Sequence, residues 1–568
     1  MIVNSLSRRN KICVYLSHFF TTVGARMWWF GIGLFIIEVT PDSLQLTAIY
    51  GFSNGGALLL LSTLVGDIID RTARLKAARI ALFLNNFGIA LCCVVVIFVF
   101  TFRPEIETKL PEQGLLKLCF TLIVILMIFS NVCNLGRTLV MERDWIVEIC
   151  NRKTDNIATM SATFRFIDLC TNAFAPLLTG QLMTYASSMY GAVFIGSWNI
   201  CAFFIEYWLI GMVYRMNPAL HSKDSTIYEL EVIQNEELMK PSTGHLEKET
   251  STTEKQLKEN ETSTSGKQLK ENENSVESVP IADQNMNKSP QKSVKSPESN
   301  KQVSSFVGKL FFSFIALYRG WRHYIQYKVA VAGLALAFLY FTVLGFDNIT
   351  IGYAYSQGMT ESILGIINAI SACFGIIASV AYPFLRKRVG LVNTGLIGLT
   401  CQISCLALCV VSLWLPGGTF GPASDVQMSR VNVSCTTQLY INTTLPTNET
   451  SCFDTIADKG FAGMSTSLIV LFSGILGARF GVWTADLVIT QLFLESVDES
   501  ERGLVNGFQS SLNKLMDMLK FVIVMFISDP AMFGYPAIVS YCFICSAWLL
   551  YAVYKKRTTG NILCKGCL

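Results

Sequence analysis

Two membrane-length apolar runs are joined by Gly66–Lys76, which reads Gly-Asp-Ile-Ile-Asp-Arg-Thr-Ala-Arg-Leu-Lys. A glycine, two acids and three bases occupy this short connector. Ion pairs and helix-end contacts in such a loop can break and re-form when the surrounding elements move. The stretch therefore favours a membrane protein with moving parts over a passive anchor. The alternative is a basic connector that only orients the flanking helices.

The composition supports a chain that crosses a bilayer many times. Of its 568 residues, 51% are hydrophobic and only 15% are charged, whereas soluble domains carry about 25% charged residues. A net charge of +4 is too small for this length to indicate nucleic-acid binding. Segments long enough to span a bilayer are predicted at Ile12–Val39, Leu44–Val65, Ala77–Phe102, Leu115–Val140, Ile157–Tyr185, Ala192–Tyr214, Val329–Tyr355, Ile363–Phe384, Leu391–Leu415, Thr466–Leu494, Leu504–Ile527 and Ala537–Tyr554.

Two sets of six spans predict an all-α membrane protein with twelve transmembrane helices. Major-facilitator transporters place a charged loop like Gly66–Lys76 between their second and third helices, so we predict their two-lobed fold. The expected N-lobe covers residues 1–216 and the C-lobe covers 306–557, followed by a tail at 558–568. Residues 217–305 are rich in Lys, Glu, Ser, Thr and Asn and repeat a seven-residue motif, so we expect a disordered linker.

Lysine and arginine residues predict the orientation. They cluster before the first span, between spans two and three, between spans eight and nine, and after the last span. With twelve spans, all of these positions fall on one side, so both termini and the linker are expected in the cytoplasm. The loop at about 416–463 then lies outside, where we expect glycosylation at Asn432, Asn442 and Asn448 and a disulfide between Cys435 and Cys452.

The seventh predicted span carries the clearest polar residues at membrane depth. Asp347, Asn348 and Thr350 follow one another between Gly345 and Gly352. Polar groups inside a bilayer cost free energy unless they are paired or functional. We therefore expect a helix that unwinds midway and forms a cation site or a gate. A glycine-softened helix with Asp347 merely paired to a base is the alternative.

Four stretches together resemble the ferroportin family of cellular iron exporters: Gly24–Glu38, Arg143–Val147, Leu344–Gly358 and Glu499–Gly507. The resemblance covers nearly all twelve spans and fails in the linker, the outer loop and the tails. It implies a multi-pass plasma-membrane protein that releases iron(II) by alternating access. Vertebrate members are closed by the peptide hepcidin.

The resemblance also identifies the positions of the family's metal ligands, and four of them differ here. An Asp and a His in the first helix correspond to Ala25 and Trp29, and a Cys and a His in the C-lobe correspond to Asn348 and Lys520. An ammonium about 6 Å from a dication repels it by roughly 5–6 kcal/mol at an effective dielectric near 20. We expect Asp347 and Lys520 to pair instead, and hepcidin-type binding to be absent.

Other family positions are present. The resemblance implies that Arg479 faces the central cavity, and that a calcium-type site, weakened by Ala25, involves Asn86, Asn199 and Glu206 with Asn85 in place of a Gln. It further implies an inner gate of opposite charges where the lobes meet, formed by Asp70, Arg74, Asp144, Arg165, Asp486 and Arg502.

These features predict a ferroportin-family exporter of iron(II), with the bilayer and a small inorganic ion as partners. A divergent paralogue that carries a non-metal solute, attracted by Lys520 and Arg479, is the first alternative. A transport-inactive membrane protein that acts through partners is the second. The sequence contains no nucleophile–base arrangement or phosphate loop that would indicate an enzyme, and no cofactor is expected.

Overall fold

The structure is a computed structural model that describes residues 8–40, 43–109, 114–151, 153–221, 315, 317–421, 464–498 and 501–560. Every regular element in these ranges is helical, and the helices belong to one compact unit. Residues 8–221 are called the N half, and residues 315–560 the C half.

The N half begins with a helix of 32 residues and contains a π-helical turn after its fourth helix. Its helices are α1 (Arg8–Val39), α2 (Gln45–Asp70), α3 (Arg74–Lys109), α4 (Gly114–Thr138), α5 (Ile146–Ile149), α6 (Thr154–Tyr185) and α7 (Ser188–Met216), with the π-helical turn at Leu139–Trp145 and a short 3-10 turn at Pro218–Leu220. The 3-10 turn lies at the start of the predicted linker, and its Leu220 is buried.

The C half contains two short helices followed by five longer elements. These are α8 (Ala330–Tyr340), α9 (Asn348–Ser356), α10 (Glu361–Val389), α11 (Leu391–Ser412), α12 (Thr466–Ser496), α13 (Arg502–Phe526) and α14 (Gly534–Thr559), with a 3-10 turn at Pro530–Met532. Side-chain caps begin several of them. The hydroxyls of Thr360 and Ser465 accept hydrogen bonds from backbone N–H groups in the first turns of α10 and α12, which satisfies donors that a helix start leaves free.

Eleven of the twelve predicted spans lie almost entirely on helical residues, and the seventh is interrupted between Tyr340 and Asn348. Eight described helices are long and apolar enough to cross a membrane, and α2 makes a ninth if its two parts, bent by 43°, count as one span. The remaining predicted spans fall on α6, on the α8–α9 pair and on α13. The α8–α9 pair is interrupted, and α13 carries Lys514, Asp517 and Lys520, which lower its hydropathy.

The predicted charged connector is shorter than expected. Helix α2 continues to Asp70 and α3 starts at Arg74, so only three residues separate them. Arg71 forms an ion pair with Asp67, four residues earlier, and its Nε lies 2.9 Å from Oδ1 of Asp67. This pair stabilises the last turn of α2. The charges of Gly66–Lys76 therefore lie mainly on helix ends.

The break in the seventh predicted span also lies earlier than expected. The chain leaves the helix at Phe341 and returns at Asn348, so Gly345 lies in the break and Gly352 lies inside α9. A Cβ added at Gly352 would come 3.1 Å from a methyl carbon of Leu44. Close packing against the N half explains this glycine better than unwinding does.

The two halves meet mainly along three helix pairs, α1 with α9, α2 with α13, and α6 with α10, and α9 also contacts α2. In the α6–α10 pair, a Cβ added at Gly365 would lie 2.7 Å from the carbonyl oxygen of Pro176. The hydroxyl of Thr184 donates to Oε2 of Glu361 at 2.8 Å. Leu44 N–H donates to the carbonyl of Ser528 at 2.8 Å. These contacts lie at the helix ends that the topology predicts on the outer side.

Candidate functional site

The centre of the C half is an ammonium held between two carboxylates. Nζ of Lys520 lies 2.9 Å from Oδ2 of Asp347 and 2.8 Å from Oδ1 of Asp517. Lys514 adds a second ammonium, 2.8 Å from Oδ2 of Asp517. The predicted pairing of Asp347 with Lys520 is confirmed. The structure adds Asp517, so that one buried lysine joins the break before α9 to helix α13.

Asp347 also begins α9. Its Oδ1 accepts a hydrogen bond from the backbone N–H of Thr350 at 3.1 Å. The next residue, Asn348, is buried against α1, where its Oδ1 would lie 2.8 Å from a Cβ added at Gly33. Among the residues that the structure describes, this amide oxygen has no hydrogen-bond partner. Asp347 is thus positioned by the helix start, next to an unused oxygen at the contact between the halves.

Arg479 lies beside the same centre, as the resemblance implies. Its Nε donates to the hydroxyl of Ser371 at 2.9 Å, and its guanidinium carbon is 5.5 Å from the centre of the Phe346 ring. Its charge also attracts Asp347. Hydrogen bonding and the aromatic face hold this guanidinium in place, so Arg479 and Lys520 both already have partners.

The N half contains a polar cavity of about 240 Å³. Ala25 and Trp29, the positions of the lost first-helix ligands, both line it. His18 is buried on its wall, with Nε2 3.0 Å from Oδ1 of Asp168 and its ring stacked 3.9 Å from that of Phe164. The cavity lies where the resemblance places a metal site, with the hydrogen bond between His18 and Asp168 on its wall.

The three predicted calcium-type residues are buried in the N half. The side-chain N–H groups of Asn86 and Asn199 donate to the carbonyls of Leu82 and Ile195, one turn earlier on their own helices. Glu206 Oε2 accepts a short hydrogen bond from the hydroxyl of Thr21. Asn85, Ala25 and the nearby Arg137 line the cavity.

Arg74 and Asp144 form an ion pair within the N half. Nη2 of Arg74 lies 2.9 Å from Asp144 Oδ1 and 3.4 Å from Glu148 Oε1. Nη1 of the same guanidinium donates to the carbonyls of Ala219 and Leu220, each at 3.4 Å. Arg74 therefore joins the start of α3, the π-helical turn, α5 and the first residues of the predicted linker. All of these described partners belong to the N half.

The remaining predicted gate residues are spread over three places. Asp70 is exposed at the end of α2. Arg165 on α6 lies near enough to Asp486 on α12 for their charges to attract across the halves, but the described contacts include no ion pair between them. Arg502 donates from Nε to the carbonyl of Val497 at 3.1 Å, within the C half. In this arrangement most of these charges have partners within their own half, and an inner gate that closes between the halves stays a prediction.

Next to Arg502, a small cluster forms around Glu501. Nδ1 of His323 lies 3.1 Å from Glu501 Oε1, and the hydroxyl of Tyr327 donates to Oε2 at 2.8 Å. This hydrogen bond, together with the nearby negative charge of Asp498, raises the pKa of Tyr327 above its usual value. The cluster ties the segment before α8 to the start of α13.

Three functional side chains were not singled out by sequence reasoning. Asp517 lies one helical turn before Lys520, a spacing at which opposite charges meet on a helix. Glu148 follows Asp144 by four residues and shares its arginine. Arg137 is a base at the end of a predicted span, and an ionisable residue at that position could have been examined as a site.

The predicted glycosylation sites and disulfide lie outside the described residues. Asn432, Asn442 and Asn448 and the cysteines Cys435 and Cys452 all belong to residues 422–463. They remain predictions.

Comparison with known proteins identifies the class. The family model described as Ferroportin1 (FPN1) matches residues 8–544. Ferroportin of Rattus norvegicus is 34% identical over 559 residues, which cover 97% of this chain and 92% of the relative. A bacterial homologue of iron transporter ferroportin, solved in an inward-facing state, matches with a TM-score of 0.64 at 16% identity, covering 97% of this chain and 99% of that one. A point mutant of the nucleoside transporter NupG matches with a TM-score of 0.53 at 10% identity, covering 96% and 99%.

The family model and the curated relatives identify the class as a multi-pass membrane transporter and not an enzyme. Within that class, the chain belongs to the ferroportin family.

Proposed function

We propose that this chain exports iron(II) across the plasma membrane by alternating access. The observation that carries the proposal is the pair of carboxylates, Asp347 and Asp517, that face one buried ammonium. Carboxylate oxygen is a ligand type that Fe²⁺ accepts. Two acids from different elements at the break of a helix have the composition of a cation site, and Lys520 occupies that site in the present arrangement.

Lys520 makes iron binding conditional on its own movement. Bound between two carboxylates, it neutralises the charge that would attract a dication, and left in place it would repel one. Its side chain is long and flexible, and Asp517 lies on the same helix. Displacement of the ammonium would free both carboxylates for the metal while the lysine stays attached nearby. Lys520 would then act as a tethered counter-cation that returns when the metal leaves.

The contacts between the halves support alternating access. They lie at the ends predicted to be outside, near Thr184 and Glu361 and near Leu44 and Ser528. This is the arrangement expected of an inward-facing state. We place twelve spans in the membrane, including α6, the α8–α9 pair and α13, with both termini in the cytoplasm. Because Asn348 and Lys520 replace the residues used by hepcidin, that peptide is not expected to bind.

A second candidate is transport of a non-metal solute, and the N-half cavity favours it. The cavity of about 240 Å³ has room for a small organic molecule, and its wall includes Arg26, Arg137 and Trp29 in place of a metal site. Lys520 and Arg479 favour this candidate less than the sequence predicts, because the carboxylates and Ser371 already bind them.

Efflux of radiolabelled iron from cells that express the chain tests the proposal. Rat ferroportin serves as the positive control, and surface labelling normalises expression. The parent should release iron above background, and Asp517→Asn should remove most of that release. The matched control is Asp529→Asn, which changes an exposed carboxylate at the outer end of the C half. Background efflux from a parent that reaches the surface would exclude iron export.

A further inference from the structure

The N half contains a buried cation, Arg137, close to the position that the family resemblance assigns to calcium. Arg137 is 6% exposed, at the end of α4, and lines the polar cavity. Its Nε and Nη2 both donate to the side-chain oxygen of Asn134 at 3.3 Å. A guanidinium this deeply buried needs negative charge around it.

Three carboxylates supply that charge. Glu206 on α7, Glu142 on the π-helical turn and Asp168 on α6 lie near enough for their charges to attract Arg137, and Glu142 and Asp168 line the same cavity as Arg137. Glu206 is 1% exposed, and among the described residues its Oε1 has no hydrogen-bond partner. Among the described residues, Arg137 is the charged group that attracts Glu206, and it acts against the burial that disfavours the ionised carboxylate. One arginine therefore balances the buried acid of the calcium-type set.

The residues present do not fit a calcium ion. Calcium takes six to eight oxygen ligands and favours several carboxylates. Of the five family positions, Ala25 offers no oxygen, Glu206 is the one carboxylate, and its Oε2 already binds Thr21. The oxygen of Asn85 accepts a hydrogen bond from Ser130. The donor set is too small, and a fixed positive charge lies next to it.

We propose that Arg137 is a built-in cation that takes the place of a divalent ion in the N half. Its positive charge lies on the same cavity wall as Glu142 and Asp168, where it offsets the negative charge around the cavity without a metal. Such a protein needs no external calcium to stabilise this half. The inference goes beyond iron export, since it concerns what holds the N half together and not which substrate is carried.

Calcium titration of the full-length purified protein tests this proposal, with the thermal unfolding midpoint and intrinsic tryptophan fluorescence as readouts. The parent should show no saturable response to Ca²⁺ beyond that given by Mg²⁺. The double variant Ala25→Asp with Arg137→Ala restores a carboxylate and removes the competing charge. It should bind Ca²⁺ at least about tenfold more tightly than the parent, because a nearby unit charge of either sign changes dication affinity by that order or more.

Three single variants separate the charge from other effects. Ala25→Asp alone should gain less than the double variant, because Arg137 remains. Arg137→Lys keeps the positive charge and should stay insensitive to Ca²⁺. Arg215→Ala removes an exposed arginine from the end of α7, the helix that carries Glu206, and should behave as the parent.

The proposal would be overturned if the parent bound Ca²⁺ saturably in the presence of Mg²⁺ and as tightly as the double variant does. It would also be overturned if Arg137→Lys and Arg137→Ala bound Ca²⁺ equally well. If the arginine-free variants fold only when Ca²⁺ is supplied, the ion replaces the missing guanidinium and the proposal is supported. If these variants fail to fold even with Ca²⁺, the titration of the parent decides: no saturable response to Ca²⁺ beyond that to Mg²⁺ supports the proposal, and a saturable response overturns it. Iron efflux is measured separately, so a failure here leaves the transport proposal standing.

Discussion

The two halves hold a buried cation in different ways. In the C half, Lys520 lies within ion-pair distance of two carboxylates. In the N half, Arg137 attracts three carboxylates, but among the described residues it has no ion pair within 4.0 Å, and it lies on the wall of a cavity. The C-half centre is filled by its own side chains, whereas the N-half centre keeps open space. Because Lys520 pairs directly with both carboxylates, the stability of the C half depends on this lysine. The N half has space in its cavity for another group.

Removal of Lys520 is expected to have the largest effect. Lys520→Ala leaves Asp347 and Asp517 buried and facing each other without their shared cation. Loss of one partner from a buried ion pair costs about 3–5 kcal/mol, so the free energy of unfolding should fall by that amount. The control variant is Lys514→Ala, which removes the more exposed lysine that pairs with Asp517. Its lysine is 36% exposed, and the cost should stay below about 1 kcal/mol.

Thermal unfolding in detergent, with and without Fe²⁺ or Co²⁺, measures this difference. Metal should restore part of the stability of Lys520→Ala, because a dication can replace the ammonium between the acids. Equal stability of Lys520→Ala and Lys514→Ala would mean that the C-half cluster is not a cohesive centre, and the contrast between the halves would disappear.

The second prediction converts the C-half centre into a metal site. Lys520→His together with Asn348→Cys removes the cation and supplies imidazole and thiolate beside Asp347, which are good ligands for Fe²⁺ and Co²⁺. Co²⁺ affinity should rise by about a hundredfold or more, since the repulsion removed amounts to several kcal/mol. Titration followed by the thiolate–cobalt absorption band would report binding. A parent that binds either metal as tightly as this variant would contradict the argument from ligand loss.

The C-half centre can be predicted from the sequence because its charged residues stand inside apolar spans. Asp347 lies two residues after Gly345 in an apolar run, and Lys520 is one of two bases inside a predicted span. Their pairing follows from the cost of burying either charge alone. The break at Phe341–Asp347 was misplaced because Gly352 was interpreted as a point of unwinding, and only the packing against Leu44 reveals its role.

The gate charges were harder to predict, for a physical reason. The sequence shows which residues carry charge, but the partner of Arg74 depends on how the π-helical turn presents Asp144 and on where the chain runs after α7. Arg137 was missed because it ends an apolar run, where a base is ordinarily a membrane-boundary residue. Its importance emerges once α6 and α7 bring Asp168 and Glu206 near it.

The smallest expected effect sharpens the contrast between the halves. Ala25→Asp with Trp29→His restores the N-half ligands that the family resemblance implies, at two positions on the wall of the existing cavity. Unlike the C-half variant, this change leaves the nearby cation, Arg137, in place. Co²⁺ affinity should therefore rise by no more than about tenfold, since the two new ligands work against the unremoved charge. The same titration on both double variants measures the ratio directly. An N-half gain equal to the C-half gain would mean that Arg137 does not influence the cavity, and that missing ligands alone, without a built-in cation, account for weak metal binding in the N half.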